Sequence, residues 1–149
     1  MQKNVLSLSS VTILIKRVQK LSATTICTWG NMTSSAMLYH CNITNKAILR
    51  APASVKKLTL KQRILKFLIF YIKKEIPRGI KGNPTFFPTE NELLNFEDQR
   101  DEWIDTIAKF PLVTDPLEGA HPVFGRLDTR EWGRFVWLHM DHHLRQFGV

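Results

Sequence analysis

Apolar residues along this chain recur mostly at spacings of three and four, the period of helices that bury one face. From Val5 to Leu21 the series Leu6, Leu8, Val11, Ile13, Leu14, Ile15, Val18 and Leu21 predicts a first helix, weakened by its β-branched content. The stretch TTICTWGNM breaks it, with Gly30 and Asn31 supplying turn chemistry. Thr33 or Ser34 can cap a second helix that runs to about Arg50, before Pro52, with an inner stripe of Ala36, Met37, His40, Ile43, Ala47 and Ile48. A third helix is predicted from Leu58 to Ile76, stopped by Pro77 and Gly79; its middle is apolar nearly all round, as in a helix covered on more than one side.

The segment PRGIKGNPTFFP reads as loop. Thr89 and Glu92 have capping-box spacing, while Asn95 offers a later start for a fourth helix carrying Phe96, Trp103, Ile104, Ile107 and Phe110 and closed by Pro111. A second loop leads to Asp128, which with Glu131 makes a carboxylate cap for a last helix from Thr129 to about Phe147. No alternation of strand type competes. The expected fold is all-α, four or five antiparallel helices around one core, and 149 residues suit a single domain over 1–149.

Composition narrows the class. With 44% hydrophobic and 23% charged residues the chain is globular rather than disordered. Its charge is lopsided: residues 1–74 hold 13 basic and no acidic side chains, whereas 75–149 hold 8 basic and 13 acidic, giving the net +8. The bases are scattered, without an Arg/Lys run or aromatic interleaving, so no nucleic-acid partner is expected. The most apolar run, Ile64 to Ile72, is far below the ~20 residues of a membrane span. A faint leader-like start lacks a cleavage motif, and the expectation is a cytoplasmic chain with no membrane partner. Cys27 and Cys41 have no metal or redox spacing and read as free thiols.

The chemistry gathers near residue 140. In HMDHH, His139, His142 and His143 place three of five histidines in little more than one helical turn. Trp132, Phe135, Val136, His139, His143 and Gln146 share one stripe, so His139 and His143 continue an apolar inward face about 6 Å apart in rise. Imidazoles at i and i+4 can ligate one metal, but no Glu follows the first His, so the HExxH protease mechanism is unsupported. The i, i+3 pair of His139 and His142 keeps the register open on spacing alone. A third ligand is required, and His40 lies on the inner stripe of the second helix. Three histidines would leave a coordination position open, as in catalytic sites. His121, in the loop HPVF, can line the site's mouth or serve a structural hydrogen bond. Gln146 can support a ligand imidazole.

The segments WGNMTSSAMLYHCNITNKAIL (Trp29 to Leu49) and HPVFGRLDTREWGRFVWLHMDHHLRQFG (His121 to Gly148) resemble the DinB-like superfamily, which includes the YfiT-like metal-dependent hydrolases, and most closely a branch of unknown function. That resemblance implies an up-down four-helix bundle with one additional helix. It also implies one metal held by a His of the second helix and an HxxxH of the last, here His40, His139 and His143. The implied cofactor is a divalent transition metal, Zn or Ni. The implied reaction is hydrolysis or thiol transfer on an unknown small molecule, such as a low-molecular-weight thiol, and bundles of this kind often pair as homodimers. A second reading is a non-catalytic bundle acting by association through the Leu65–Ile72 region. A third is a basic surface for nucleic acid or anionic lipid, which salt-sensitive binding would mark.

Overall fold

A computed structural model describes residues 3–80, 82–89 and 92–149. Lys81, in the first loop, and Glu90 and Asn91, in the earlier of the two expected starts of the fourth helix, lie outside the described residues. Five α-helices frame the fold: α1 (Leu8–Val18), α2 (Ser34–Arg50), α3 (Leu60–Phe67), α4 (Phe96–Ile107) and α5 (Thr129–Gln146). A two-stranded antiparallel hairpin, β1 (Ala120–His121) and β2 (Gly125–Arg126), precedes α5.

Side-chain oxygens set the starts of α2, α4 and α5, as the sequence anticipates. The Thr33 side chain accepts from the Ala36 N–H, and Asp128 forms a reciprocal capping box with Glu131. Of the two candidate starts for α4, Asn95 prevails, accepting from the Asp98 N–H; Thr89 and Glu92 bond to each other, the Thr89 N–H to the Glu92 carboxylate and the Glu92 N–H to the Thr89 carbonyl. The third helix departs from expectation. It begins at Leu60, where the capping box of Thr59 with Gln62 fixes it, and after Phe67 it widens into a π-helical segment, Leu68–Lys73. That segment ends at Lys74 in the left-handed conformation, with φ 55°, whose N–H bonds the Ile69 carbonyl at 2.9 Å.

Around the core, α1 packs on α4 and α5, α2 packs on α4 and α5, and the π segment rests on α5. Helix α5 is buried on nearly every side, including Trp132, Phe135, Val136, Trp137, Leu138, Met140 and Leu144. The expected stripe of α2 is correct at Met37, His40 and Ile48 but not at Ala47, which is exposed; the buried face turns instead through Leu38, Cys41, Asn42, Thr44 and Asn45. Asn42 and Asn45 find polar partners there, Asn42 on α4 at Gln99 and Glu102, and Asn45 on the Met140 sulfur. Only the amide nitrogens are satisfied, since Oδ1 of Asn42 and Asn45 and Oγ1 of Thr44 are buried without a hydrogen-bond partner, and such buried polar residues escape a reading based on hydrophobic pattern.

The chain before α1 lies flat on α5. The Val5 N–H bonds the Gly133 carbonyl at 3.0 Å, and Asn4 Nδ2 bonds the Arg130 carbonyl at 2.9 Å. Only a glycine permits this approach, because a Cβ at 133 would collide with the Asn4 side chain and sit 2.7 Å from Leu6 Cγ. Gly133→Ala is therefore expected to destabilise by about 1–2 kcal/mol, the overpacking cost exceeding the helix-propensity gain. Urea denaturation checks it, and an unchanged or raised midpoint would contradict this packing.

Candidate metal centre

Two long helices aim three imidazoles at one point. His40 comes from the middle of α2, and His139 and His143 from successive turns of α5. His139 Nε2 stands 3.2 Å from His40 Nε2 and 3.1 Å from His143 Nε2, and the three ligand nitrogens all lie within 4.8 Å of one another. Two nitrogens about 2.05 Å from a tetrahedral zinc ion are roughly 3.3 Å apart, so both close spacings suit a shared cation.

The far side of each ring determines what its Nε2 can do. His40 Nδ1 lies 3.1 Å from the Phe86 carbonyl, which only accepts, so Nδ1 carries the proton and Nε2 presents a lone pair. His143 Nδ1 lies 2.9 Å from Gln146 Oε1. The Gln146 amide is oriented in turn by its Nε2, which donates to the Trp29 carbonyl at 3.0 Å. His143 Nδ1 therefore donates, and its Nε2 is also a lone pair. Two lone pairs thus converge on the third imidazole, whose single Nε2 proton could answer only one of them. A cation at the centre answers all three. Acceptors behind ligand imidazoles are the usual support of a metal-binding histidine.

His139 is held differently. Its ring stacks on Phe135 at 5.6 Å and 16°, and its Nδ1 is closed to water and without a hydrogen-bond partner. The His40 ring stacks on Phe87 at 4.5 Å. Burial lowers the pKa of all three imidazoles. For His143 it reaches about 3, with the His40 charge adding to the effect, and for His139 it falls well below the ordinary value. For His40 the bond to Phe86 partly offsets the lowering. The rings are accordingly neutral at pH 7, the state that binds metal.

His142 is turned away from this point. Its Nδ1 donates to the Ile76 carbonyl at 3.0 Å, and its ring meets the edge of Trp29, which lies under the Arg78 guanidinium. The residues at i and i+4, His139 and His143, are therefore the ones brought together with His40. His121 takes the structural role: its Nδ1 accepts the backbone N–H groups of Val123 and Phe124 at 3.1 and 3.3 Å, closing the β hairpin turn, and its ring packs on Phe124 and Phe135. Burial lowers its pKa to about 4. Cys41 is buried next to His40 with its thiol pushed up to about 12, so it stays protonated, and both cysteines are free. Sequence reasoning places Gln146 but misses Phe86 and Trp29, because both act through backbone carbonyls that leave no residue-type signal.

Without metal, stability should depend on pH through these buried neutral rings. Their folded pKa values lie below the unfolded ~6.5, so the unfolded chain binds protons first. Stability is fully present above about pH 6.5 and falls as the pH drops towards 4, by about 1.4 kcal/mol per pH unit for each such imidazole. Urea midpoints of chelator-treated protein between pH 7 and pH 4.5 test this, and His143→Gln should flatten the slope. A flat profile in the wild type would show that these rings are not buried neutral.

No curated protein and no solved structure matches the chain. A family model does match, over residues 1–148, nearly the whole chain and both of the segments that supply the histidines. The chain belongs to the family described as protein of unknown function DUF1569.

Proposed function

We propose that this protein binds one divalent transition metal ion, zinc or nickel, through Nε2 of His40, His139 and His143, and uses it on a small-molecule substrate. The observation that carries this reading is the convergence of two tautomer-locked lone pairs, from His40 and His143, on the third imidazole. Imidazole donors suit zinc and nickel among the divalent ions. Three protein ligands rather than four favour a working site over a structural one. When bound, such an ion supplies Lewis acidity to a water or to a thiol sulfur.

The chain's own residues would do the rest. Phe86 and Gln146 orient the ligand rings, while Phe87 and Phe135 wall the site with apolar surface. Hydrolysis and transfer of a low-molecular-weight thiol are the two reaction classes that fit. The surrounding architecture is read as a DinB-like up-down four-helix bundle of α1, α2, α4 and α5, with α3 as the additional helix. That reading is supported by the way each of these four packs on two of the others.

Protein purified without a histidine tag should carry, or take up, one equivalent of zinc or nickel by elemental analysis. His139→Ala and His143→Ala should abolish uptake and lose the melting-temperature rise that metal gives. Less than about a tenth of an equivalent after reconstitution would overturn the metal reading. Gln146→Leu removes the acceptor behind His143 while leaving all three ligands, and should weaken metal binding by about 10–100-fold in a chelator competition. Unchanged affinity would mean that Gln146 does not position His143.

A further inference from the structure

The third helix and its π extension carry a second apolar face that no part of the described chain covers. Leu60, Ile64, Phe67, Leu68, Tyr71 and Ile72 follow one another at spacings of four, three, one, three and one, a single stripe, and each is between 39% and 73% exposed. Their neighbours Ile69 and Phe70 are buried against the core, so the outward stripe is not an unfolded remnant. A contiguous exposed apolar patch of this kind marks a binding surface.

Charge identifies the occupant. From Lys56 to Lys74 the chain has seven basic side chains and no acid. The first acid beyond, Glu75, faces Arg145 at 3.5 Å. At the end of the stripe, Tyr71 and Lys74 also line a cavity of about 250 Å³ together with Lys3, Arg130 and Arg134. The one acid in that cavity, Glu131, is paired with Lys66 at 2.7 Å. The Arg134 guanidinium lies over the Tyr71 ring at 4.9 Å, and its Nε is shut from water with no hydrogen-bond partner. An apolar helical stripe whose flanking charged residues along the chain are all basic is the pattern of helices that lie in a membrane interface. A cationic cavity at its end is suited to a phosphate.

We propose that this face rests on the surface of an anionic phospholipid bilayer, the stripe entering the headgroup boundary and the cavity taking a lipid phosphate. A helix too short to span a membrane can still lie on one, so the expectation of no membrane partner, drawn from span length, does not extend to this face. A second copy of the chain is disfavoured as the occupant, because two such faces would bring like charges together.

Sedimentation of the full chain with vesicles tests the proposal. Binding is expected to vesicles of phosphatidylcholine with about one third phosphatidylserine, not to phosphatidylcholine alone, and to weaken as salt rises. Phe67→Ser with Ile72→Ser alters only exposed positions and should weaken binding about tenfold with the melting temperature unchanged. Lys74→Gln with Arg134→Gln should also weaken it. Absence of binding to the anionic vesicles at low salt would overturn the proposal, as would binding that the serine variant leaves intact. A dimer in solution that the serine variant splits would assign the face to a second copy instead.

Discussion

The candidate site depends on hydrogen bonds made on the outer edges of its rings. Three imidazoles packed edge to edge have no reason to present bare nitrogens to one another, and in water each would be solvated on both sides. Here the Phe86 carbonyl and the Gln146 amide take the Nδ1 protons of His40 and His143, which forces both lone pairs inward. The loop over 82–89 must fold across α2 to bring Phe86 there, and the loop from Ile26 to Thr33 must close on the end of α5 to hold Gln146. The glycine at position 30 follows from the same requirement. It has φ +79°, and a Cβ there would approach Gln146 Nε2 to 2.8 Å.

The lopsided charge of the chain resolves into contacts between its halves. Lys46 pairs with Glu102, Lys66 with Glu131, and Arg17 with Asp141, each joining a base of the first half to an acid of the second. Arg17 also reaches the Val149 carbonyl, so the Asp141 pair binds α1 to the last turns of α5. These pairs are partly buried, and Asp141 is buried outright. Their consequence is spatial: one base each of α1, α2 and α3 is tied to an acid of α4 or α5.

The helices were legible in the sequence because their signals are local. Thr33, Asn95 and Asp128 announce their caps, and the stripe from Trp132 to Gln146 points His139 and His143 inward at a spacing that geometry alone supplies. His40 was legible as an inward residue and so as a candidate partner for His139, 99 residues away, and resemblance to a family strengthened that link. The π segment was not legible, since one widened turn keeps the same apolar composition as an α-helix. Nor was the exposure of its outer stripe, because an apolar helix middle looks the same whether core or solvent faces it. The carbonyls of Phe86, Trp29 and Ile76 were invisible for a different reason, every residue having one.

The distance along the chain between the ligands also orders events in time. His40 leaves the ribosome some hundred residues before His139, a delay of about 5–20 s at ordinary rates of synthesis. In that interval α2 holds one imidazole and no partner, and a lone imidazole retains a metal ion poorly. Helix α5, buried on nearly every side, cannot settle until the elements that surround it exist. Closure of the three-histidine cluster is therefore tied to the docking of α5, so that a site able to hold an ion is complete only when the core is.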